Sequence, residues 1–230
     1  MKTFVAAALV GLVASAAGAG LSVSHTDGTS SGASVDGVQG AGEYGAGSYS
    51  YSGGGTGFGG TVGNGRLYMD ADATNLYIGF KPGADMNDLV TILLDTRAGG
   101  YTDAAMSDTA DGGRRASSNL AANADDAFDP NFLPDFSVVM ASWGTVSFEL
   151  TSGSLNFIDF NGAFTGNSAS QFREYAIPLA TLGIGAGGNV DFIVGYIADS
   201  GYGSNESMPG GALNAGGNVG FDGVSAGYPD

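Results

Sequence analysis

Short apolar segments recur along the chain, and clusters of Gly, Asn, Asp and Ser separate them. Residues 89–94 (LVTILL) form a continuous apolar run with the length of one strand, a pattern typical of a strand that is buried on both faces. Residues 190–197 (VDFIVGYI) form a second such run, and residues 66–69 and 75–80 predict a hairpin around a polar turn. Four more segments predict strands at short spacing: residues 136–141, 145–150, 155–160 and 172–177.

Helical periodicity is scarce along the chain. Residues 109–121 predict one short helix, in which Arg114, Arg115 and Leu120 lie among Ala and Ser, and residues 179–182 predict a single helical turn. Many short strands separated by Gly-rich turns favour a sandwich or a barrel over a β-α-β fold. We therefore predict an all-β protein, a jelly-roll-like antiparallel β-sandwich of about eight to ten strands with one short helix.

The N-terminus has the three parts of a secretory signal peptide. Lys2 supplies a positive charge, residues 4–16 form an apolar segment, and residues 17–19 (AGA) match a small-x-small cleavage site. The apolar segment is shorter than the about 20 residues that a membrane-spanning helix needs, although a membrane anchor is the alternative. We expect residues 1–19 to be removed and residues 20–230 to form one soluble domain, secreted to the periplasm or the extracellular space. No later segment predicts membrane insertion after cleavage.

The N-terminal part of this domain, about residues 28–65, is rich in Gly, Ser, Thr and Tyr. Such a composition is typical of a flexible linker. Tyr44, Tyr49, Tyr51 and Phe58 interrupt it, however, and the alternation around Tyr49 is typical of a half-buried strand. We predict loops with one or two short strands, ordered where these aromatic side chains pack against the rest of the domain.

The charge balance excludes some partners. The chain has 23 acidic and 7 basic residues, with a formal net charge of −16. This charge repels nucleic acid and anionic membrane surfaces, whose binding depends on Lys and Arg contacts with phosphate. The acidity is explained either by solubility outside the cell or by coordination of Ca²⁺ through some of the Asp side chains.

The residue types that several kinds of catalysis need are scarce. The chain contains no Cys, which excludes disulfides and cysteine nucleophiles, and His25 is its one histidine. A Ser-His-Asp triad and a zinc site with several nitrogen or sulfur ligands are therefore disfavoured. A glycosidase needs two facing carboxyl groups, and no sequence pattern pairs two of them. We expect a protein without enzymatic activity.

Four aspartates surround the long loop that follows the buried run at residues 89–94. They are Asp95, Asp103, Asp108 and Asp111. Ca²⁺ binds about six to eight oxygen ligands, and carboxylates at this density suit it, although the spacing is not that of an EF-hand. These residues are either calcium ligands or solvated turn residues, and both interpretations stay open at this stage.

Aromatic residues in turns are the candidates for ligand binding. Trp143 lies in a turn between two predicted strands, where its ring either stacks on a sugar or caps the core. Tyr101 and Tyr202 lie in Gly-flanked loops, and loops at one end of a sandwich often carry function. Arg97 either pairs with loop carboxylates or recognises a carboxylate or sulfate of a ligand.

Several motifs along the chain resemble those of one group of secreted domains. Residues 35–37 (VDG) precede residues 43–45 (EYG), residues 70–80 contain NLYIGF, and residues 89–100 join a strand to a DTRAGG loop. In this order they resemble family-9 carbohydrate-binding modules and DOMON-like domains, and also bacterial exoproteins that carry a D-x-R-x-GG loop followed by RRA. The closing strand pair of that group resembles residues 175–182 (YAIPLATL) and 191–196 (DFIVGY).

The resemblance implies a β-sandwich that binds extracellular carbohydrate. We therefore expect an exported, non-catalytic binding module whose loop end contacts a polysaccharide or another cell-surface component. Trp143, Tyr101 and Tyr202 would stack on the sugar, and Arg97 would be a polar contact. The alternative is a structural protein of the matrix or cell surface without a small ligand, which the Gly/Ser/Tyr-rich stretch favours.

Overall fold

The computed structural model describes residues 21–24, 33–44, 49–55, 57–100, 108–122, 132–151, 154–164, 166, 168–185 and 188–210. The predicted signal peptide and His25 lie outside these residues. The described residues form twelve strands and two helices. In chain order they are β1 Leu21–Ser24, β2 Tyr49–Ser52, β3 Arg66–Ala71, β4 Asn75–Lys81, β5 Leu89–Asp95, α1 Gly112–Ala122, β6 Phe136–Ala141, β7 Gly144–Thr151, β8 Ser154–Asn161, β9 Ala163–Phe164, β10 Arg173–Pro178, α2 Leu179–Leu182, β11 Asn189–Ile197 and β12 Gly203–Met208.

The strands form two antiparallel sheets, which confirms the predicted all-β sandwich. The seven-stranded sheet has the order β1-β11-β5-β6-β7-β8, and β12 also pairs with β11. The five-stranded sheet has the order β2-β3-β4-β10-β9. The described residues contain more than the expected eight to ten strands, because the short strands β1 and β9 and the polar strand β12 add to the predicted ones. No helix in the described residues has both the length and the apolar character that crossing a membrane requires.

The main core lies between the two sheets. Leu67 and Ile78 of the five-stranded sheet and Ile92, Val138 and Phe192 of the seven-stranded sheet belong to one cluster of buried side chains. Successive side chains of a strand point to opposite faces, so each sheet contributes every second residue to this layer. Hydrophobic burial between the sheets therefore stabilises the fold without disulfides.

A second core lies on the outer face of the seven-stranded sheet, under α1. Leu89 and Leu93 of β5 point to this face and join Ala116 and Leu120 of α1 in a buried cluster. The prediction that residues 89–94 form a strand buried on both faces is therefore confirmed. α1 packs against β5, β6 and β11. Val146 and Phe148 of β7 belong to the same cluster, whereas Phe157 and Phe160 of β8 stay exposed on this face.

The Gly-rich N-terminal stretch packs on the sandwich through aromatic side chains, as predicted, but also through polar contacts. Gly54 exchanges two backbone hydrogen bonds with Ser207 of β12, both at 2.9 Å. β12 has the polar sequence GSNESM, which did not predict a strand, and all six of its residues are buried. The ring centroids of Tyr44, Tyr51 and Phe58 lie 5.8, 4.6 and 5.5 Å from those of Phe172, Phe192 and Tyr196, respectively.

Candidate ligand-binding groove

Trp143 lies at the surface, in the turn between β6 and β7. Its ring is parallel to that of Phe160 on β8, with an interplanar angle of 11° and a centroid distance of 5.9 Å. Trp143 is 47% exposed and Phe160 is 56% exposed. Gly144 allows this approach, because a Cβ atom there would lie 2.7 Å from Cζ of Phe160 and its φ is +149°. The two rings form a stacked, parallel pair, and each residue is about half exposed to solvent.

A groove with a volume of about 410 Å³ adjoins this aromatic pair. Its floor is the part of the outer face, on β7 and β8, that α1 does not cover. The beginning of α1 forms the opposite wall. The lining residues are Asp111, Gly112, Arg114, Trp143, Val146, Phe148, Phe157 and Phe160.

A β-bulge brings two phenylalanines of β8 to the same face of the sheet. Phe157 pairs with Phe148 and Phe160 pairs with Val146, and the register shifts between Ser147 and Phe148. In a regular strand, residues three apart point to opposite faces. The bulge inserts one extra residue into β8, so Phe157 and Phe160 point to the same face. Phe157 and Phe160 were not predicted as site residues, because regular alternation places them on different faces.

Ion pairs fix the guanidinium group of Arg114 at the edge of the groove. Its Nη1 atom lies 2.9 Å from Oδ2 of Asp108 and donates a 2.8 Å hydrogen bond to the carbonyl of Leu155. Its Nε atom lies 3.2 Å from Oδ2 of Asp111. Its Cζ atom lies 5.0 Å from the ring centroid of Phe148, as in a cation–π contact. The groove thus has an aromatic floor and a charged but neutralised edge.

The predicted calcium ligands do not converge in the described residues. Asp108 and Asp111 pair with Arg114, and Oδ1 of Asp111 accepts the backbone N–H of Arg114 at 2.8 Å, which caps α1. Asp95 accepts the backbone N–H of Leu133 at 3.0 Å. Burial, followed by the nearby charges of Asp135 and Asp191, raises the pKa of Asp95 to about 6. Asp103 lies outside the described residues, and calcium binding stays a prediction.

A different acidic group brings its oxygens close together. One oxygen from each of Asp36, Glu43 and Glu174 lies within 4.8 Å of the other two. Glu174 accepts the backbone N–H of Asp36 at 3.0 Å and that of Gly37 at 2.7 Å, and burial raises its pKa. Glu43 accepts the backbone N–H of Ser34 at 3.0 Å. The hydroxyl of Tyr44 donates to Glu174 at 3.1 Å, so hydrogen bonds join both the VDG and the EYG motif to β10, a structural role that requires no metal.

Arg97 does not lie near Trp143. It forms ion pairs with Asp135 at 3.1 Å and with Glu149 at 2.7 Å, after the end of β5. The Trp143 turn lies at the end of the sheet where β5 begins. The seven residues of β5, at about 3.3 Å each, put these ends about 20 Å apart. The geometry favours the structural interpretation of Arg97, its pairing with carboxylates.

Tyr202, one of the two predicted tyrosines of the site, is not in the groove lining. Tyr202 lies in the turn between β11 and β12, at the same end of the sheet as Trp143. Its ring centroid lies 6.1 Å from that of Phe58, and its side chain is partly exposed. Tyr101 lies outside the described residues. Of the three predicted ligand-binding residues that the structure describes, Trp143 is therefore the one that lines the groove.

No family model matches the chain, and the searches of curated proteins and of solved structures found no match. The resemblance to family-9 carbohydrate-binding modules and DOMON-like domains accordingly stays a prediction.

Proposed function

We propose that this protein is an exported, non-catalytic binding module that binds extracellular carbohydrate in the groove beside Trp143. The exposed, parallel pair of Trp143 and Phe160 carries the proposal. A sugar ring has an apolar face that stacks on aromatic rings, whose rigidity and area favour such contacts. The volume of about 410 Å³ falls within the roughly 300–1,000 Å³ of small-molecule sites.

The composition of the groove supports an amphipathic ligand. Phe157 and Phe160 are each more than half exposed, and contiguous exposed apolar surface of this kind marks interaction sites. Asp111 and Arg114 supply polar contacts at the edge. A sugar, with hydroxyl groups around an apolar face, matches both parts.

The same lining favours binding over hydrolysis. Glycoside hydrolysis uses two carboxyl groups on opposite sides of the scissile bond. The groove lining includes one carboxylate among the described residues, Asp111, and this carboxylate pairs with Arg114.

Retention on immobilised polysaccharides tests the proposal. Cellulose, xylan, mannan, chitin and β-1,3-glucan form the panel, and Trp143→Ala and Phe160→Ala are compared with the unaltered protein. We expect each variant to lose at least about tenfold in affinity for the retained polysaccharide. Val38→Ala is the control, because Val38 is as exposed as Phe160, at 56%, and does not line the groove. Equal retention of Trp143→Ala and the unaltered protein would contradict the proposal.

A structural, self-associating protein is the second candidate, and the position of β8 favours it. β8 forms the edge of the seven-stranded sheet and exposes Phe157 and Phe160. Edge strands with exposed apolar side chains pair with other chains. This candidate predicts concentration-dependent association in sedimentation velocity, which Phe157→Lys abolishes and soluble oligosaccharides leave unchanged.

A further inference from the structure

Trp143 forms a wall of two neighbouring cavities. One is the aromatic groove, and the other is a depression of about 280 Å³ whose lining also includes Trp143. A ligand in contact with Trp143 can therefore extend from one cavity into the other. The lining residues of the depression are Asn87, Asp88, Leu89, Ala141, Ser142, Trp143 and Asp199.

The depression is polar where the groove is aromatic. The side chains of Asn87 and Ser142 line it and form no hydrogen bond with the part of the chain that the structure describes. Asp88 accepts a hydrogen bond from the backbone of Asp199, and burial, together with the charge of Asp199, raises its pKa. The depression therefore offers an amide, a hydroxyl and two carboxylates to a ligand.

The backbone around the depression is fixed before any ligand arrives. The buried hydroxyl of Tyr196 accepts the backbone N–H of Asn87 at 3.3 Å and that of Asp88 at 3.1 Å. Arg115 donates a hydrogen bond to the carbonyl of Asp199. Preorganised walls of this kind lower the entropy cost of binding.

We infer that the ligand is an uncharged glycan of at least two sugar units, which crosses Trp143 from the groove into this depression. The inference rests on the proposed function. Asn87 and Ser142 bind hydroxyl groups, and Asp88 and Asp199 accept hydrogen bonds from them. The same carboxylates, in a chain with a net charge of −16, repel a uronic acid or a sulfate. Arg114 does not offset this repulsion, because Asp108 and Asp111 neutralise it.

Isothermal titration with oligosaccharides of defined length tests the inference. The probes are gluco-, xylo- and manno-oligosaccharides of one to six units, with oligogalacturonates of the same lengths as charged counterparts. We expect affinity to rise at least tenfold between one unit and three and then to level off, with no binding of oligogalacturonate. Asn87→Ala is expected to lower the affinity for the three-unit ligand about threefold to tenfold. Asp88→Asn, which keeps the shape of the side chain, is expected to increase binding of oligogalacturonate.

The outcomes separate this inference from the proposed function. Loss of binding in Trp143→Ala, together with unchanged affinities in Asn87→Ala and Asp88→Asn, would overturn the inference and leave the groove as the binding site. Equal affinity for one unit and six, or tighter binding of oligogalacturonate than of the neutral probes, would also overturn it. Absence of binding to every probe by the unaltered protein would overturn both.

Discussion

The carboxylate of Glu206 accepts the backbone N–H of Val62 at 2.9 Å, although 144 residues separate the two along the chain. The same side chain accepts the N–H groups of Gly60 at 2.9 Å and Gly63 at 2.8 Å. A fully buried carboxylate thus accepts three backbone N–H groups of residues 60–63 in the Gly-rich stretch. This part of the stretch is ordered by a polar side chain as much as by its aromatic residues.

Removal of this carboxylate should destabilise the protein strongly. We expect Glu206→Ala to lower the free energy of unfolding by about 2–4 kcal/mol, because buried N–H groups lose their acceptor. Glu206→Gln, which keeps one oxygen, should lose less. Urea denaturation measures both, and Glu149→Gln at a partly exposed ion pair is the control, with an expected loss below about 1 kcal/mol. A Glu206→Ala protein as stable as the unaltered one would contradict this role.

Asp95 should make stability depend on pH. Its pKa is raised to about 6 in the folded protein, from an ordinary value of 3.8. The folded state therefore binds more protons than the unfolded state between these values, and the contribution of Asp95 to stability falls as pH rises from about 4 to about 6. We expect Asp95→Asn, which keeps an acceptor for Leu133, to gain stability relative to the unaltered protein at pH 7 but not at pH 4. Thermal melts of both proteins from pH 4 to pH 7 test this prediction. A difference in melting temperature that does not change with pH would contradict it.

Arg97 should contribute to stability and not to ligand binding. Its partner Asp135 is buried, so Arg97→Ala removes a charge-assisted hydrogen bond and should cost about 1–2 kcal/mol. The affinity of this variant for any glycan should stay within about twofold, because Arg97 does not line the groove and lies about 20 Å from Trp143. Urea denaturation and titration measure the two quantities. A large loss of glycan affinity at unchanged stability would return Arg97 to the binding site.

The substitution Gly144→Ala should displace the ring of Phe160. The added methyl group would lie 2.7 Å from Cζ of that ring and would occupy a φ of +149°, so the ring has to move away from Trp143. We expect a loss of glycan affinity similar to that of Phe160→Ala, with the β-sheet circular dichroism spectrum retained. Unchanged affinity would show that the parallel arrangement of the two rings has no part in binding.

Calcium removal should leave the melting temperature unchanged. Oxygens of Asp108 and Asp111 already contact Arg114, so a calcium ion would have to displace an ion pair at each. Melts with EDTA and with millimolar Ca²⁺ test this directly, because a ligand of the folded state raises the melting temperature. A clear increase with Ca²⁺ would restore the predicted site, with Asp95 and Asp103 as the first residues to replace.

The strands that the hydrophobic pattern predicts lie within about two residues of their positions in the structure. Residues 136–141, for example, match β6. The pattern works there because one or both faces of each strand are buried in an apolar core. β12 was not predicted because its sequence is polar and lacks an apolar pattern. Its buried polar side chains are satisfied by hydrogen bonds to a distant segment, such as the one between Glu206 and Val62.

The candidate site was predictable only through Trp143. A single tryptophan in a turn is visible in the sequence, and the structure shows that its side chain is exposed rather than buried in the core. The contribution of Phe157 and Phe160 depends on the bulge opposite Ser147, and the local sequence carries no specific signal for it. The distance between Arg97 and Trp143 is likewise a property of strand order, which composition and spacing do not reveal.

The glycines beside the bridge between Gly54 and Ser207 should tolerate few substitutions during evolution. Its neighbours pass so close to other backbone that a methyl group on Gly53 would collide with the carbonyl of Val62, and one on Gly55 with that of Asn205. A low-complexity stretch is ordinarily the part of a protein that tolerates replacement best. Here each of these glycines is irreplaceable by any other amino acid without moving the adjoining chain. The simplest-looking part of the sequence should therefore be among the slowest to change.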